Sequence, residues 1–384
     1  MTKAKKLRVM VLYGGRSGEH EISLRSAASV IQYLDPQRFE VIPVAVDKEG
    51  RWLLNDLSLI EKAKETLPIF KNAPAVLLPP HPGGSAEGLI QISSSPSTGG
   101  NGLIKTAIDV VFPVMHGTLC EDGTIQGLFE LADIPYVGSG VLASAVGMDK
   151  DIAKRLMRDA GIPIVPYLTV KADKWRNQFH QITQRASELG YPVFVKPANL
   201  GSSVGVHKVK EPGQLEAALE DAFLYDSKVL IERGIDAREI ELAVLEELNP
   251  SLPPWVSTPG EVASTHEFYS YEAKYLDENG ALLHIPAKLD EKQKATAQAM
   301  AREAFLLLEA EGMARVDLFL DKKSGNFYFN ELNTIPGFTS ISMYPKMCEY
   351  SGISYSELLS RLVDLAVARH QRRKKLVRDF HAKG

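Results

Sequence analysis

The stretch Ala314-Arg-Val-Asp-Leu-Phe-Leu-Asp-Lys-Lys-Ser-Gly-Asn-Phe-Tyr-Phe-Asn-Glu-Leu-Asn333 holds two apolar-rich runs around the turn-forming segment Asp321–Asn326. That arrangement predicts a β-hairpin. Side chains alternate along a strand, so Arg315 and Asp317 share one face of the first strand, and Glu331 and Asn333 share one face of the second. With a five-residue loop over Lys322–Asn326, Asp317 lies opposite Glu331 and Arg315 opposite Asn333. All four then share a face. Two carboxylates and an amide are hard oxygen donors, suited to Mg²⁺ on a polyphosphate. Arg315 beside them can stabilise charge developing on a phosphoryl group or an oxyanion. An ordinary solvated hairpin also carries Asp, Glu and Asn, but a charged face on a sheet this apolar calls for a counter-charge.

Working outward, 384 residues are too many for one ordinary core and point to two or three domains. The longest apolar runs, Val9–Tyr13 and Val110–Met115, are strand-sized, so no membrane span is expected. The basic N-terminus leads directly into Gly14-Gly15 and reads as a first strand, not a signal peptide. Two cysteines, Cys120 and Cys348, provide no disulfide framework and fit a reducing cytoplasm. A net charge of −4 argues against a nucleic-acid partner. The basic run Arg372–Lys375 sits where helices commonly end in cations.

The first third alternates strand and helix: strands at Leu7–Tyr13, Phe39–Val46 and Asp109–Met115, helices at Ser23–Leu34 and Gly123–Leu131, and a short strand at Ile134–Val137. It reads as an α/β domain with a mostly parallel sheet over residues 1–145. Within it, residues 79–102 are rich in Pro, Gly and Ser and read as an exposed, mobile insertion. Residues 146–238 and 239–384 read as two α+β subdomains, with helices near Lys150–Ala160 and Asp290–Glu311.

Several groups in these parts suit a nucleotide. Lys196-Pro-Ala-Asn-Leu-Gly-Ser-Ser-Val-Gly205 is a glycine-rich loop with a lysine at its entrance, able to cradle phosphate through backbone N–H groups. It lacks the Gly-Lys-Ser/Thr of a P-loop, and many plain hairpins carry two glycines. Lys150 at a helix start can reach a phosphate, though an exposed lysine there would be unremarkable. The strand Lys228-Val-Leu-Ile-Glu-Arg233 can offer Glu232 to a base edge, with Glu239 available for a ribose.

These pieces occur in the order found in the ATP-grasp ligases. Gly14-Gly-Arg-Ser-Gly-Glu-His-Glu-Ile-Ser-Leu-Arg-Ser-Ala27 resembles the N-terminal signature of D-alanine–D-alanine ligases, and Glu331-Leu-Asn-Thr-Ile-Pro-Gly-Phe-Thr-Ser-Ile-Ser342 their C-terminal one. Met115-His-Gly117, Glu121-Asp-Gly-Thr124, Lys196–Gly205 and Tyr271-Glu-Ala-Lys-Tyr275 also fit, so the resemblance spans roughly Leu7–Ser360.

The resemblance implies two ATP-grasp subdomains clasping the nucleotide, and the formation of D-alanyl-D-alanine, ADP and phosphate for peptidoglycan synthesis. It implies that Glu19 holds the first D-alanine's ammonium and that Ser202 and Tyr275 bond with Glu19 to close the site. His116 contacts substrate and Ser342 binds the second carboxylate. Arg315 and the Gly337 N–H form an oxyanion hole. Lys150, Lys196, Gly201, Ser203, Glu232, Arg233, Ile235, Glu239, Phe268 and Lys274 line the ATP. Asp317, Glu331 and Asn333 hold two magnesium ions, for which manganese can substitute. The partners implied are D-alanine, ATP and a second copy of the chain. Three rival readings are a D-alanine–D-lactate ligase, a non-catalytic ATP-binding regulatory module, and a dinucleotide-dependent oxidoreductase. The last is disfavoured because Gly14-Gly15 and Gly18 do not make Gly-x-Gly-x-x-Gly.

Overall fold

Val9–Tyr13 is an unbroken apolar run, and all five of its residues are fully buried, as befits a central parallel strand covered on both faces. The computed structural model describes residues 5–60, 65–82, 88–92, 105–264 and 281–377. Among them, β1 (Leu7–Gly14) lies between β2 (Phe39–Val46) and β7 (Val110–Val114), parallel to both. Gly14 ends β1 with φ +92°, where a Cβ would stand 2.2 Å from the Val46 carbonyl oxygen, so only glycine fits.

Beyond β2 the sheet turns antiparallel through β3 (Trp52–Leu54), β4 (Ala75–Leu77), β5 (Leu89–Ile92) and β6 (Lys105–Thr106). The order of this seven-stranded sheet is β6-β5-β4-β3-β2-β1-β7. Two expectations are corrected here. The sheet is mixed, with a parallel centre of β2, β1 and β7 and an antiparallel wing in which β2 to β6 pair in chain order. The segment 79–102 is not merely an exposed insertion either: Leu89 is fully buried, and β5 pairs with β4. Ile134–Val137 makes only an isolated bridge, Tyr136 to Val111.

A second sheet contains β8 (Tyr167–Lys171), β9 (Val193–Pro197), β10 (His207–Val209) and β11 (Lys228–Arg233) in the order β10-β9-β11-β8, all antiparallel. A third contains β12 (Ala237–Leu245), β13 (Trp255–Val256), β14 (Gly260–Ser264), β15 (Ala281–His284), β16 (Met313–Asp321) and β17 (Phe327–Asn333). Its order is β15-β14-β12-β16-β17, with β13 beside β12. The helix Glu291–Leu307 covers one face and begins with a capping box between Asp290 and Gln293. Its Ala297, Ala301, Ala304 and Phe305 pack with Val316, Leu318 and Phe329.

The terminal helix Tyr355–Arg373 returns to the first sheet, placing Leu359 and Val363 in one cluster with Val9, Phe112 and Phe338. Its basic end does more than complement a helix dipole. Arg372 pairs with Glu246, Arg373 with Glu130 and Glu311, and Lys374 with Asp133. Arg369, 4% exposed, donates to the carbonyls of Tyr136 and Gly138. The helix is thereby pinned to the chain that leaves the first sheet.

Candidate active site

The hairpin β16–β17 has the register its residues called for: Asp317 opposite Glu331 and Arg315 opposite Asn333. The means differ. Lys322–Asn326 lies between the strands as expected, but beside it Leu320 pairs with Phe327 and Leu318 with Phe329, one step off the register that would set Asp317 opposite Glu331. Asn330 then has no opposite number, a β-bulge that moves the register by one. Phe327 and Phe329 point into the core before it and Leu332 after it, leaving Glu331 and Asn333 on the other face.

Arg315 donates from Nε to Asp317 Oδ1 at 2.7 Å and from Nη2 to Oδ2 at 2.6 Å. Its Nε also lies 3.2 Å from Glu241 Oε2, and Asn333 Nδ2 donates to Asp317 Oδ2 at 3.1 Å. Burial works against the guanidinium's charge, but Asp317 and Glu241 outweigh it and raise its pKa well above normal. Glu241 stands opposite Asp317 on β12 and was not singled out by sequence. The alternation Glu239-Ile240-Glu241, with Ile240 in the core, was its signal.

Lys150 joins this face to the glycine-rich loop. Its Nζ donates to the Leu200 carbonyl at 2.6 Å and lies 3.1 Å from Glu331 Oε2. In that loop Ser202 and Ser203 hold left-handed backbone, with φ of 52° and 58°. Ser202 Oγ donates to Glu19 Oε1. Glu19 precedes the helix His20–Tyr33 but makes no side-chain cap to it, so its carboxylate is turned to the loop and not spent on the helix end. Gly117 and Gly201 leave it room: a Cβ on either would lie 2.7 Å or 3.1 Å from Glu19 Oε2.

His116, at the end of β7, is buried, with Nδ1 at 3.0 Å from the Ile335 carbonyl and Nε2 at 3.0 Å from Ser26 Oγ. Ser26 also accepts from the Phe338 N–H at 3.2 Å. The two residues therefore hold both ends of the Ile335–Phe338 turn that contains Gly337. Burial opposes protonation of His116, yet Glu121 Oε1, 3.6 Å from Nδ1, turns the net shift upward. Ser342 begins the helix Met343–Tyr350 and accepts from the Thr339 N–H at 3.0 Å. A Cβ at Gly337 would sit 2.9 Å from Ser342 Oγ, so the two are neighbours.

On the second sheet, Lys196 Nζ lies 2.5 Å from Glu232 Oε1, and Lys154 Nζ 2.8 Å from Oε2. Burial alone would push the Glu232 carboxyl up, but the two ammoniums bring it down to about 2. Arg233 is exposed at the end of β11, and its N–H donates to the Pro166 carbonyl at 3.0 Å. Ile235 follows in the link to β12, where Glu239 stands opposite Phe319. Phe268, Lys274 and Tyr275 lie outside the described residues.

Asp317 and Glu331 are opposed in register and the Asn333 amide adjoins them, oxygen donors of the kind a hard divalent cation takes. Arg315 and Lys150 pair with the two carboxylates, however, and no cluster of three or more His, Cys, Asp or Glu side chains is gathered for a metal among the described residues.

A family profile described as D-ala D-ala ligase C-terminus matches residues 156–364, and one described as D-ala D-ala ligase N-terminus matches residues 8–139. The chain belongs to the D-alanine–D-alanine ligase family. Within the family it is 56% identical to the D-alanine–D-alanine ligase A of Bradyrhizobium diazoefficiens, over 98% of this chain and 99% of that one. Two solved structures share the fold at a TM-score of 0.79. The D-alanine–D-alanine ligase from Coxiella burnetii is 35% identical, with 97% of each chain covered. The VanG D-Ala:D-Ser ligase from Enterococcus faecalis is 34% identical, with 94% of this chain and 100% of that one covered. As a D-alanine–D-alanine ligase family member, the chain has an α/β fold with mixed sheets and works with ATP.

Proposed function

We propose that the chain binds ATP between its four- and six-stranded sheets, in ATP-grasp fashion, and joins two D-alanines through an acyl phosphate. It is an ADP-forming ligase of D-alanine, and its product enters peptidoglycan synthesis. The observation that carries the mechanism is the meeting at Lys150. One ammonium touches both the glycine-rich loop and Glu331 of the carboxylate face, as a phosphate between them would require.

The carboxylate of the first D-alanine attacks the γ-phosphorus, the bond to the β–γ bridging oxygen breaks, and ADP leaves. The free amine of the second D-alanine then attacks the acyl carbon. The tetrahedral intermediate expels phosphate and loses the amine's extra proton. Glu19 holds the first ammonium, a role supported by its turn away from the helix end. Arg315 and the Gly337 N–H receive the oxyanion. Ser342 takes the second carboxylate, and His116 shapes the substrate wall it shares with the Ile335–Phe338 turn.

Tyr275 closes over Ser202 and Glu19 and excludes water that would hydrolyse the acyl phosphate. Lys150, Lys196, Gly201, Ser203 and Lys274 face the phosphates, while Glu232, Arg233, Ile235, Glu239 and Phe268 face the nucleoside. Asp317, Glu331 and Asn333 would hold two magnesium ions, replaceable by manganese, which would offset phosphate charge during transfer. We also place the enzyme in the cytoplasm as a homodimer. Both cysteines are buried and free, which suits a reducing compartment.

The test is phosphate release across D- and L-amino acids, with and without Mg²⁺, with products weighed by mass spectrometry. Mg²⁺-dependent release with D-alanine alone, yielding the dipeptide, is expected. Preferred coupling to D-serine or D-lactate would replace the second substrate; ATP binding with no D-alanine-dependent turnover would leave only a nucleotide-binding module.

A further inference from the structure

Lys154 lies one helical turn beyond Lys150 and is 1% exposed. An ammonium so far from water is costly unless charge and hydrogen bonds meet it. Two groups do. Glu232 Oε2 stands at 2.8 Å, and the Phe329 carbonyl accepts from Nζ at 3.3 Å. Glu232, 2% exposed, gives its other oxygen to Lys196 on β9, and the Lys196 ammonium lies 5.6 Å from the centre of the Phe319 ring on β16.

The second contact falls at a particular place. Phe329 is the last residue paired before the unpartnered Asn330, and Glu331 follows directly. The Phe329 N–H is fixed as well, donating to the Pro163 carbonyl at 2.8 Å. One side chain thus links the Glu232–Lys196 pair of the second sheet to the bulge that turns Glu331 and Asn333 toward the phosphates.

We propose that Lys154 is a positioning residue that sets the span between the nucleotide-holding pair Glu232–Lys196 and the carboxylate strand β17. The inference rests on the ATP reading given above. Lys154 is sealed from solvent and needs no contact with substrate; it acts through Glu232, Lys196 and the backbone of β17. Its two contacts carry separable effects. Loss of charge frees Lys196 to close wholly on Glu232, which weakens nucleotide binding. Loss of fit at the Phe329 carbonyl misplaces Glu331, which slows transfer.

The experiment uses the full chain with Lys154→Met and Lys154→Arg, reading ADP affinity by calorimetry without amino acid, and D-alanine-dependent phosphate release. Lys154→Met is expected to raise the ADP Kd and the ATP KM on the order of 10- to 100-fold, as for loss of a supporting outer partner. Its D-alanine KM stays within about twofold, since no amino-acid contact is touched. Lys154→Arg keeps the charge beside Glu232 but carries a bulkier planar head. It is expected to hold ADP affinity while kcat falls about tenfold. Unchanged ADP affinity and ATP KM in Lys154→Met, with only a lower Tm, would overturn the proposal. Should Lys154→Met not fold, wild-type kcat and ATP KM in Lys154→Arg would overturn it equally. Failure of the ligase reading looks different: the unmutated chain would bind ADP yet release no phosphate with D-alanine, while Lys154→Met would still lose ADP affinity.

Discussion

Arg315 and Asp317, two residues apart on one strand, hold each other through paired hydrogen bonds of 2.7 and 2.6 Å. The fork geometry uses both carboxylate oxygens, and Glu241 meets the same Nε from the neighbouring strand. The guanidinium is therefore the shared counter-ion of two buried carboxylates as well as the candidate oxyanion donor.

Arg315→Ala should consequently show two effects. Turnover falls by a factor on the order of 10² to 10³, the cost of a lost oxyanion donor, while ADP affinity by calorimetry is unchanged. Without Mg²⁺, the variant is also less stable by about 3 kcal/mol in urea, because Asp317 and Glu241 remain buried without their cation. Collapse of ADP affinity with turnover retained would show that Arg315 serves the nucleotide instead.

The hairpin also marks how far its residues could be read in advance. Alternation placed Arg315 with Asp317 and Glu331 with Asn333, because period two is written into the chain. The bulge was not legible. A single unpaired Asn330 leaves no trace in composition, and the expected five-residue loop reproduced the same pairing by a different route. Removing Asn330 should let β17 pair regularly with β16 while Phe329 and Leu332 stay in the core and Glu331 and Asn333 stay on the site face, because Asn330 is the one residue that breaks the alternation. Both the deletion and Asn330→Gly should therefore retain most of the phosphate release. Loss of release in the deletion variant, with Asn330→Gly active, would show that the bulge itself and not the alternation places Glu331.

Other parts were hidden for other physical reasons. The strands β3 to β6 span two to four residues each, too short for a periodic signal, and so the sheet's antiparallel wing was missed. Lys154 has no sequence signature, because a buried ion pair reads as an ordinary helix charge until Glu232 arrives from another element. The alternation that puts Glu241 on one face with Glu239, by contrast, is legible in the chain.

Gly117 offers a test of the Glu19 site that leaves every polar group in place. With φ of +80°, and a Cβ destined to fall 2.7 Å from Glu19 Oε2, Gly117→Ala must displace the carboxylate or distort the backbone. The strain should lower stability by about 1–3 kcal/mol, read from the urea midpoint. Steady-state kinetics should show the D-alanine KM rising well beyond the ATP KM. A rise confined to ATP would move Glu19 out of the amino-acid site.

The Glu232 carboxyl, brought from the ordinary 4.5 down to about 2, links the buried triad to acid stability. A carboxyl depressed in the folded chain contributes stability that is fully present above the unfolded value, and this is lost as pH falls from 4.5 toward 2. Across that window the unfolded chain binds one more proton at this group than the folded chain does. Folding free energy therefore drops by up to about 1.4 kcal/mol per pH unit. Lys154→Met leaves Lys196 as the one lysine paired with Glu232, so the folded carboxyl rises and its share of the slope shrinks. Urea unfolding between pH 5 and pH 3 should give a shallower dependence for Lys154→Met than for the parent chain, on top of lower stability at neutral pH. Parallel slopes would mean that Lys196 alone keeps Glu232 ionised and that Lys154 contributes packing without charge.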